Sequence, residues 1–152
     1  MVKVLERLVS DHLYNMTENR NWLVKQQAGF RKARSFEDLV TKFFQSISDD
    51  FQHKKPQRTV MGLLDYSKAY DRTWRERLLL KFTILGAHQQ MIRWISAFLT
   101  TRTAEVNINN TLSKRVWMKQ GLPQGSVLSP LLFLLYINDI GVSALQQWSV
   151  LN

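Results

Sequence analysis

The chain has 152 residues, a formal net charge of +9, 45% hydrophobic residues and no cysteine. This length and apolar content predict one globular domain with a hydrophobic core, and the lack of cysteine excludes disulfides and thiolate metal sites. The positive charge favours a polyanionic partner, with RNA or DNA ahead of an acidic membrane surface.

The N-terminal segment predicts a helix followed by a basic loop. Apolar residues recur at helical spacing from residue 1 to about residue 14: Val4, Leu5, Leu8, Val9 and Leu13. They predict an amphipathic helix. The run Gln26–Arg34 has three cations beside an aromatic ring and predicts a loop whose Gly29 frees the backbone. Such a loop either grips phosphate or is a solvated charged surface.

A second helix is predicted from Ser35 to about Lys54. Ser35 and Asp38, three positions later, have the spacing of a capping box. The expected buried side of this helix consists of Leu39, Val40, Phe43, Phe44, Ile47 and Phe51. The break at Lys54–Gln57, which contains a proline, ends the helix.

The apolar run Arg58–Leu64 predicts a buried strand that ends at Asp65. A carboxylate at the end of a buried strand is held rigidly, and hard cations need oxygen ligands that do not move. Asp65 is therefore a candidate metal ligand. The alternative is that Asp65 only ends the strand and that Asp71 caps the next helix.

The next part of the chain predicts two helices and a hairpin. One helix has Trp74, Leu78, Leu79 and Phe82 on its apolar side and ends near Gly86, and another covers about His88 to Thr100. Residues 103–118 alternate in polarity on both sides of Asn109–Asn110, which is typical of a hairpin. Leu112, Val116 and Met118 share a parity after the turn.

The last part of the chain predicts a tight loop and a buried helix. Two glycines bracket a proline in Gly121–Ser126, so this backbone is expected to follow a neighbour closely. The helix after it has Pro130 in its first turn and an apolar body, Leu131–Ile140. The longest apolar run, Val127–Ile137, is shorter than the ~20 residues that span a bilayer. We expect no membrane partner, and no recognisable localisation signal is present.

The three histidines lie far apart in the sequence, at His12, His53 and His88, without the spacing of metal ligands. We therefore interpret them as surface or helix residues.

Four runs occur in the order seen in reverse transcriptases: Gln27–Ser35, Leu64–Asp71, Gln120–Pro130 and Tyr136–Asp139. The chain most resembles the reverse transcriptases of non-LTR (LINE-type) retrotransposons, with Jockey-like insect elements as a subgroup, over nearly its whole length. A group II intron maturase or a related bacterial enzyme is compatible with the Phe30–Ser35 and Pro123–Ser126 runs. The Tyr136–Asp139 run fits retrotransposons better.

This resemblance implies an α+β fold that is helix-rich with a small antiparallel sheet, as in the fingers and palm of a right-hand polymerase. Residues 1 to about 57 would be fingers, and about 58–152 would be palm with an inserted fingers segment. The chain has no adjacent acids after Asp50. The family's [FY]-x-Asp-Asp hairpin, the rest of the palm, the thumb and an endonuclease domain are therefore expected elsewhere in the complete element.

The resemblance also implies RNA-directed DNA polymerase activity, in which a dNTP is added to a DNA primer on an RNA template. The cofactor would be two Mg²⁺ ions, with Mn²⁺ as a substitute. Asp65 matches the catalytic carboxylate that binds metal, and the main-chain carbonyl of Tyr66 would add a ligand. Arg31 and Lys32 match the residues that clamp the triphosphate.

Other site residues follow from the same resemblance. Tyr70 matches the gate that lies beneath the ribose and clashes with a 2′-hydroxyl. Gln124 and Gly125 match the loop beside the incoming nucleotide. Three cations are expected on nucleic-acid phosphates: Arg34, Arg115 and Lys119.

One carboxylate does not hold two divalent ions, so we expect little polymerase activity from these 152 residues alone. A different class of function stays open, namely a non-catalytic nucleic-acid-binding remnant. The two readings share the charge of +9 and differ in whether dNTP and Mg²⁺ bind together.

Overall fold

The computed structural model describes residues 2–52, 62–63 and 65–140. This part of the chain contains five helices and four short strands, in the order α1 Val2–Asn19, α2 Phe36–Gln52, α3 Arg75–Ile84, α4 Gln89–Thr100, β1 Thr103–Ala104, β2 Asn107–Ile108, β3 Thr111–Leu112, β4 Val116–Trp117 and α5 Ser129–Ile137. The helix-rich α+β class is as predicted. Among the described residues, no helix combines the length and apolar character that crossing a bilayer requires.

The chain divides into two compact units. The first unit consists of Met1–Val24 and Lys68–Asn152, and the second unit is Lys25–Ser67. The core of the first unit is built from α1, α3, α4, α5 and the loops beside them, with fully buried side chains at Leu13, Leu78, Phe82, Ile95, Leu99, Leu128 and Leu132. Each such side chain stabilises the fold by roughly 1.5–3 kcal/mol.

Helix α1 is longer than predicted and buries a different face. It continues to Asn19, and its buried residues are Glu6, Leu13 and Thr17. Most of the predicted apolar face is exposed, because Val4 and Leu8 each keep 64% of their surface accessible. The prediction was wrong here because a buried carboxylate, with partners far along the chain, fixes how the helix is rotated.

Helix α2 begins at the predicted capping box. The Ser35 N–H donates to Asp38 Oδ2 at 3.3 Å, and the Asp38 N–H donates to Ser35 Oγ at 3.1 Å. The predicted buried side is wrong, because none of the α2 residues, all of which are described, is buried. The predicted end near Lys54 lies outside the described residues.

Most of the predicted strand Arg58–Leu64 also lies outside the described residues. Its two described members, Gly62 and Leu63, lie outside regular secondary structure, and Leu63 is 83% exposed. This exposure disagrees with the prediction that the run is buried.

Helices α3 and α4 lie close to their predicted positions, with one error of capping. Trp74 occupies the N-cap position of α3 and makes no side-chain capping bond to a described residue. It is 57% exposed rather than packed on the apolar side. Asp71 is not the cap, since it belongs to the preceding turn. His88 caps α4, where its Nδ1 accepts the Gln90 N–H at 3.3 Å.

The predicted hairpin is present as two short antiparallel ladders, β1 with β4 and β2 with β3. Asn109 and Asn110 both have positive φ, 49° and 61°, as a type I′ turn requires. The registers pair Ala104 with Val116 and Asn107 with Leu112. The returning strand therefore carries one extra residue, a bulge. Leu112, Val116 and Met118, which share a parity in the sequence, are all exposed.

The Tyr136–Asp139 run, at the end of α5, makes several hydrogen bonds to other parts of the first unit. The Asn138 side chain accepts the Val24 N–H at 2.9 Å and donates to the Trp22 carbonyl at 2.7 Å. Asp139 accepts from Lys81 Nζ at 2.5 Å, and Lys81 also donates to the Tyr136 carbonyl. The helix ends at Ile137 instead of Ile140. These residues join α5 to α3 and to the segment that follows α1.

Candidate functional site

Two segments far apart in sequence run side by side at the candidate site. The Leu122 N–H donates to the Tyr70 carbonyl at 2.8 Å, and the Gly121 N–H donates to the Thr73 carbonyl at 3.0 Å. Gly121 has φ +82°, and a Cβ there would lie 2.7 Å from the Asp71 carbonyl oxygen. The close approach predicted for this glycine is therefore real, and the partner is the turn that contains Tyr70 and Asp71.

A buried arginine forms hydrogen bonds to the segment that precedes Leu122. Arg75, the first residue of α3, donates to the carbonyls of Gly121 at 2.8 Å, Met118 at 2.6 Å and Gln120 at 2.9 Å. Only 5% of its surface is exposed. Burial lowers the pKa of Arg75, an effect that nearby Glu76 opposes and Arg102 reinforces. The planar guanidinium suits this place because its N–H groups diverge in a fixed fork.

The Pro123–Val127 segment, here called the pocket loop, is shaped by side-chain hydrogen bonds. Gln124 Nε2 donates to Asp71 Oδ1 at 3.0 Å, and Ser129 Oγ donates to the Pro123 carbonyl at 2.7 Å. Gly125 has φ +75°, which favours glycine. Asp71, expected as a helix cap, instead orients the Gln124 amide.

The pocket loop borders a cavity of about 660 Å³, within the size range of small-molecule sites. Its lining residues are Tyr70, Pro123, Gln124, Gly125, Ser126, Val127, Ser129 and Pro130. Tyr70 lies against Phe133 with 5.2 Å between ring centroids, and burial raises the pKa of the Tyr70 hydroxyl. The cavity thus offers a fixed aromatic ring, an oriented amide and loop backbone.

A smaller cavity of about 300 Å³ shares Pro123 with the larger one. Charged side chains at its wall are Asp71, Arg75, Arg102 and Lys119. Lys119 is exposed there. Arg115 projects from the hairpin and is paired with Glu105, with 2.6 Å between Nε and Oε1. That ion pair partly neutralises one of the cations predicted to contact nucleic acid.

In the second unit, arginine side chains of the predicted basic loop form hydrogen bonds to the main chain of the same loop. Arg31 and Arg34 each donate to the Gln27 carbonyl, at 3.2 and 3.5 Å. The residues of this loop with positive φ are Phe30 and Ala33, at 55° and 56°. Both arginines therefore stabilise the loop conformation, while Lys32 is exposed beside them.

Asp65 and Tyr66 are exposed and lie outside regular secondary structure. Within residues 2–52, 62–63 and 65–140, no group of three or more His, Asp or Glu side chains is placed to hold a metal ion. A magnesium site needs several oxygen ligands. The described residues by themselves therefore do not fit a two-ion centre.

A family model described as reverse transcriptase (RNA-dependent DNA polymerase) matches residues 1–151. The chain belongs to the reverse transcriptase family.

This reverse transcriptase chain is similar to proteins of mobile elements from Drosophila melanogaster. It is 30% identical over 138 residues to the probable RNA-directed DNA polymerase from transposon BS. It is 28% identical over 138 residues to the RNA-directed DNA polymerase from mobile element jockey, and 28% over 140 residues to the probable one from transposon X-element. Each match covers 91% of this chain and 15% of the relative's length. The predicted resemblance to Jockey-like non-LTR elements is confirmed.

The predicted site residues of this reverse transcriptase fall into three places. Tyr70, Gln124 and Gly125 line the larger cavity. Lys119 and Arg115 belong to the hairpin side of the first unit. The other members lie in the second unit: Arg31, Lys32, Arg34, Asp65 and Tyr66.

Sequence reasoning missed two anchoring residues in this reverse transcriptase. Arg75 gave no signal because its partners are main-chain carbonyls, which no side-chain motif reports. Glu6 was read as one of the charges between apolar residues of α1, yet it is buried. Nothing in the sequence distinguishes Glu6 from the other charged residues of α1, because its partners lie 120 and 121 residues away.

Proposed function

We propose that this reverse transcriptase chain supplies the nucleotide-binding part of an RNA-directed DNA polymerase. One observation carries the proposal: Tyr70, Gln124 and Gly125, chosen from separate sequence motifs, border a single cavity of about 660 Å³. The ligand would be a dNTP, and the further partners would be an RNA template and a DNA primer. In this proposal residues 1 to about 57 belong to the fingers of a right-hand polymerase, and about 58–152 belong to the palm with an inserted fingers segment.

The cavity residues have distinct roles. The Tyr70 ring, held by Phe133, lies beneath the sugar and disfavours a 2′-hydroxyl. The amide of Gln124, oriented by Asp71, has a second N–H and its oxygen for the sugar or phosphates. Gly125 allows the ligand to approach the backbone.

The second unit carries further groups that the family resemblance relates to phosphate and metal binding. Arg31 and Lys32 bind the triphosphate. Arg34, Arg115 and Lys119 each bind nucleic-acid phosphate. Asp65 and the Tyr66 carbonyl would be ligands for Mg²⁺, which would supply charge stabilisation for phosphoryl transfer.

Further carboxylates of the complete polymerase must complete that metal centre, because Asp65 supplies one. We therefore propose that the 152-residue chain binds nucleotide but extends primers little or not at all by itself. The thumb and an endonuclease domain would be partners in the complete element.

The test is equilibrium binding of each dNTP, with the matching NTP as competitor, to the purified chain. Gln124→Ala should weaken dNTP binding about tenfold, which corresponds to 1.4 kcal/mol. The matched control is Gln45→Ala, because Gln45 makes the same type of bond to Asp49, at 2.7 Å, on exposed α2. Equal affinities for the two variants would contradict the proposal.

A second candidate function is a nucleic-acid-binding module without nucleotide chemistry. The observation that favours it is the charge of +9, which suits a polyanionic partner. RNA affinity that falls steeply with salt, together with no detectable dNTP binding, would support it. An RNA affinity that is flat between low and moderate salt would count against both functions.

A further inference from the structure

A carboxylate from the N-terminal helix is buried behind the pocket loop. Glu6 has 4% of its surface exposed. Its Oε2 accepts the Ser126 hydroxyl at 2.8 Å and the Val127 N–H at 2.9 Å. A buried carboxylate is unfavourable unless hydrogen bonds compensate the lost hydration. These two bonds, formed across 120 residues of sequence, are such a compensation.

The same end of α1 makes a second contact with the loop. Lys3, three residues before Glu6, donates from Nζ to the Gly125 carbonyl. Residues three apart lie on one face of a helix, so this face contacts Gly125, Ser126 and Val127 in succession. The cation of Lys3 and the carboxylate of Glu6 thus form hydrogen bonds to three consecutive loop residues.

The network continues from the loop into α5. The hydroxyl of Ser126, which donates to Glu6, also accepts the Leu128 N–H at 3.2 Å. Packing contributes little at the tip of the loop, since a Cβ at Gly125 would meet no described heavy atom within 4 Å. Hydrogen bonds from α1 therefore define the conformation of the pocket loop beside Gly125.

We propose that Glu6 is a positioning residue for the nucleotide cavity. It does not line the cavity, but its two partners, Ser126 and Val127, do. By holding them, Glu6 fixes the loop backbone next to Gly125, while Asp71 orients the Gln124 amide. This inference rests on the proposed nucleotide-binding function, and it names a part of the chain outside the predicted site that controls that function.

The test compares Glu6→Ala with Glu6→Gln, which keeps an acceptor oxygen, and with Asp11→Ala, an exposed carboxylate on the same helix. Two quantities are measured in each variant: the dNTP dissociation constant and the hydrogen-exchange rates of the Ser126 and Val127 amides, which donate to the Pro123 carbonyl and to Glu6. Glu6→Ala should weaken dNTP binding and accelerate exchange at both amides about tenfold. Glu6→Gln should restore both to within about threefold, and Asp11→Ala should change neither.

The outcomes separate this inference from the proposed function. If the wild-type chain binds no dNTP, the proposed function fails, while faster exchange confined to the pocket loop in Glu6→Ala still supports positioning. Unchanged dNTP affinity in Glu6→Ala, or exchange accelerated equally throughout α5, would overturn it. If Glu6→Ala does not fold, Ser126→Ala decides, because it removes one of the two bonds. An affinity within twofold of wild type in Ser126→Ala would also overturn it.

Discussion

Replacing Arg75 with methionine removes the guanidinium that joins α3 to the start of the pocket loop, while it keeps an apolar side chain of similar length. Three carbonyls lose a donor at 2.6 to 2.9 Å. A hydrogen bond to a charged group contributes about 1.5–3 kcal/mol, so the three together set an upper limit of about 4.5–9 kcal/mol.

The expected loss is smaller, because the three carbonyls differ in access to water. Met118 and Gln120 are exposed and can bond to water instead, whereas Gly121 is buried. A buried acceptor left unpaired costs about 1–3 kcal/mol. Removing the arginine also removes the unfavourable burial of its charge. We therefore expect Arg75→Met to lower the free energy of unfolding by about 2–4 kcal/mol.

Urea unfolding followed by far-UV circular dichroism measures this change, provided that the slope with urea stays constant. The matched control is Arg77→Met on the same helix. Arg77 has a 54% exposed side chain and a 3.7 Å ion pair with Asp139, so its loss should cost under about 1 kcal/mol. Arg75→Lys should fall between the two, because an ammonium cannot reach three divergent carbonyls. A loss for Arg75→Met no larger than for the control would refute the reasoning.

Two further predictions concern the same unit. Gly121→Ala should destabilise it by about 2 kcal/mol more than Gly86→Ala in urea unfolding, because both glycines have positive φ but only at Gly121 would a Cβ meet backbone, at 2.7 Å. For Asp139, burial would raise the pKa, but the hydrogen bond and charge of Lys81 and the charge of Arg77 outweigh it and lower the pKa from 3.8. The stabilisation is therefore full above about pH 5 and is lost as the pH falls through the lowered pKa. Asp139→Asn should lower stability by about 1 kcal/mol at pH 7, and curves for variant and wild type that stay parallel down to pH 2 would contradict the assignment.

Local signals in the sequence predicted the secondary structure well. The Ser35 capping box, the His88 start of α4 and the Asn109–Asn110 turn each depend on residues within a few positions of each other, and the structure has all three. Such short-range chemistry is readable because both partners lie in the same window of sequence.

The predictions were wrong where a partner far away in the sequence determines the contacts of a side chain. The amphipathic pattern of α1 suggested that Leu5 and Leu8 are buried, but the bonds of Glu6 to residues 120 or more positions away select another face. Asp71 has the sequence position of a helix cap, yet Gln124, 53 residues later, is its partner. The family motifs indicated the cavity residues, and the contacts that hold them in place could be seen only in the structure.

The discontinuity of the first unit has a consequence for biosynthesis. Helix α1 leaves the ribosome long before Ser126, its partner 120 residues later, has been made. At about 5–20 residues per second, this interval is roughly 6–24 s. During this time the helix has no hydroxyl for Glu6, and Leu13 lacks the part of its core that α5 supplies. The cavity can therefore form only after nearly all of the described chain has been synthesised, and slower translation lengthens the period in which a nascent chain is open to misfolding.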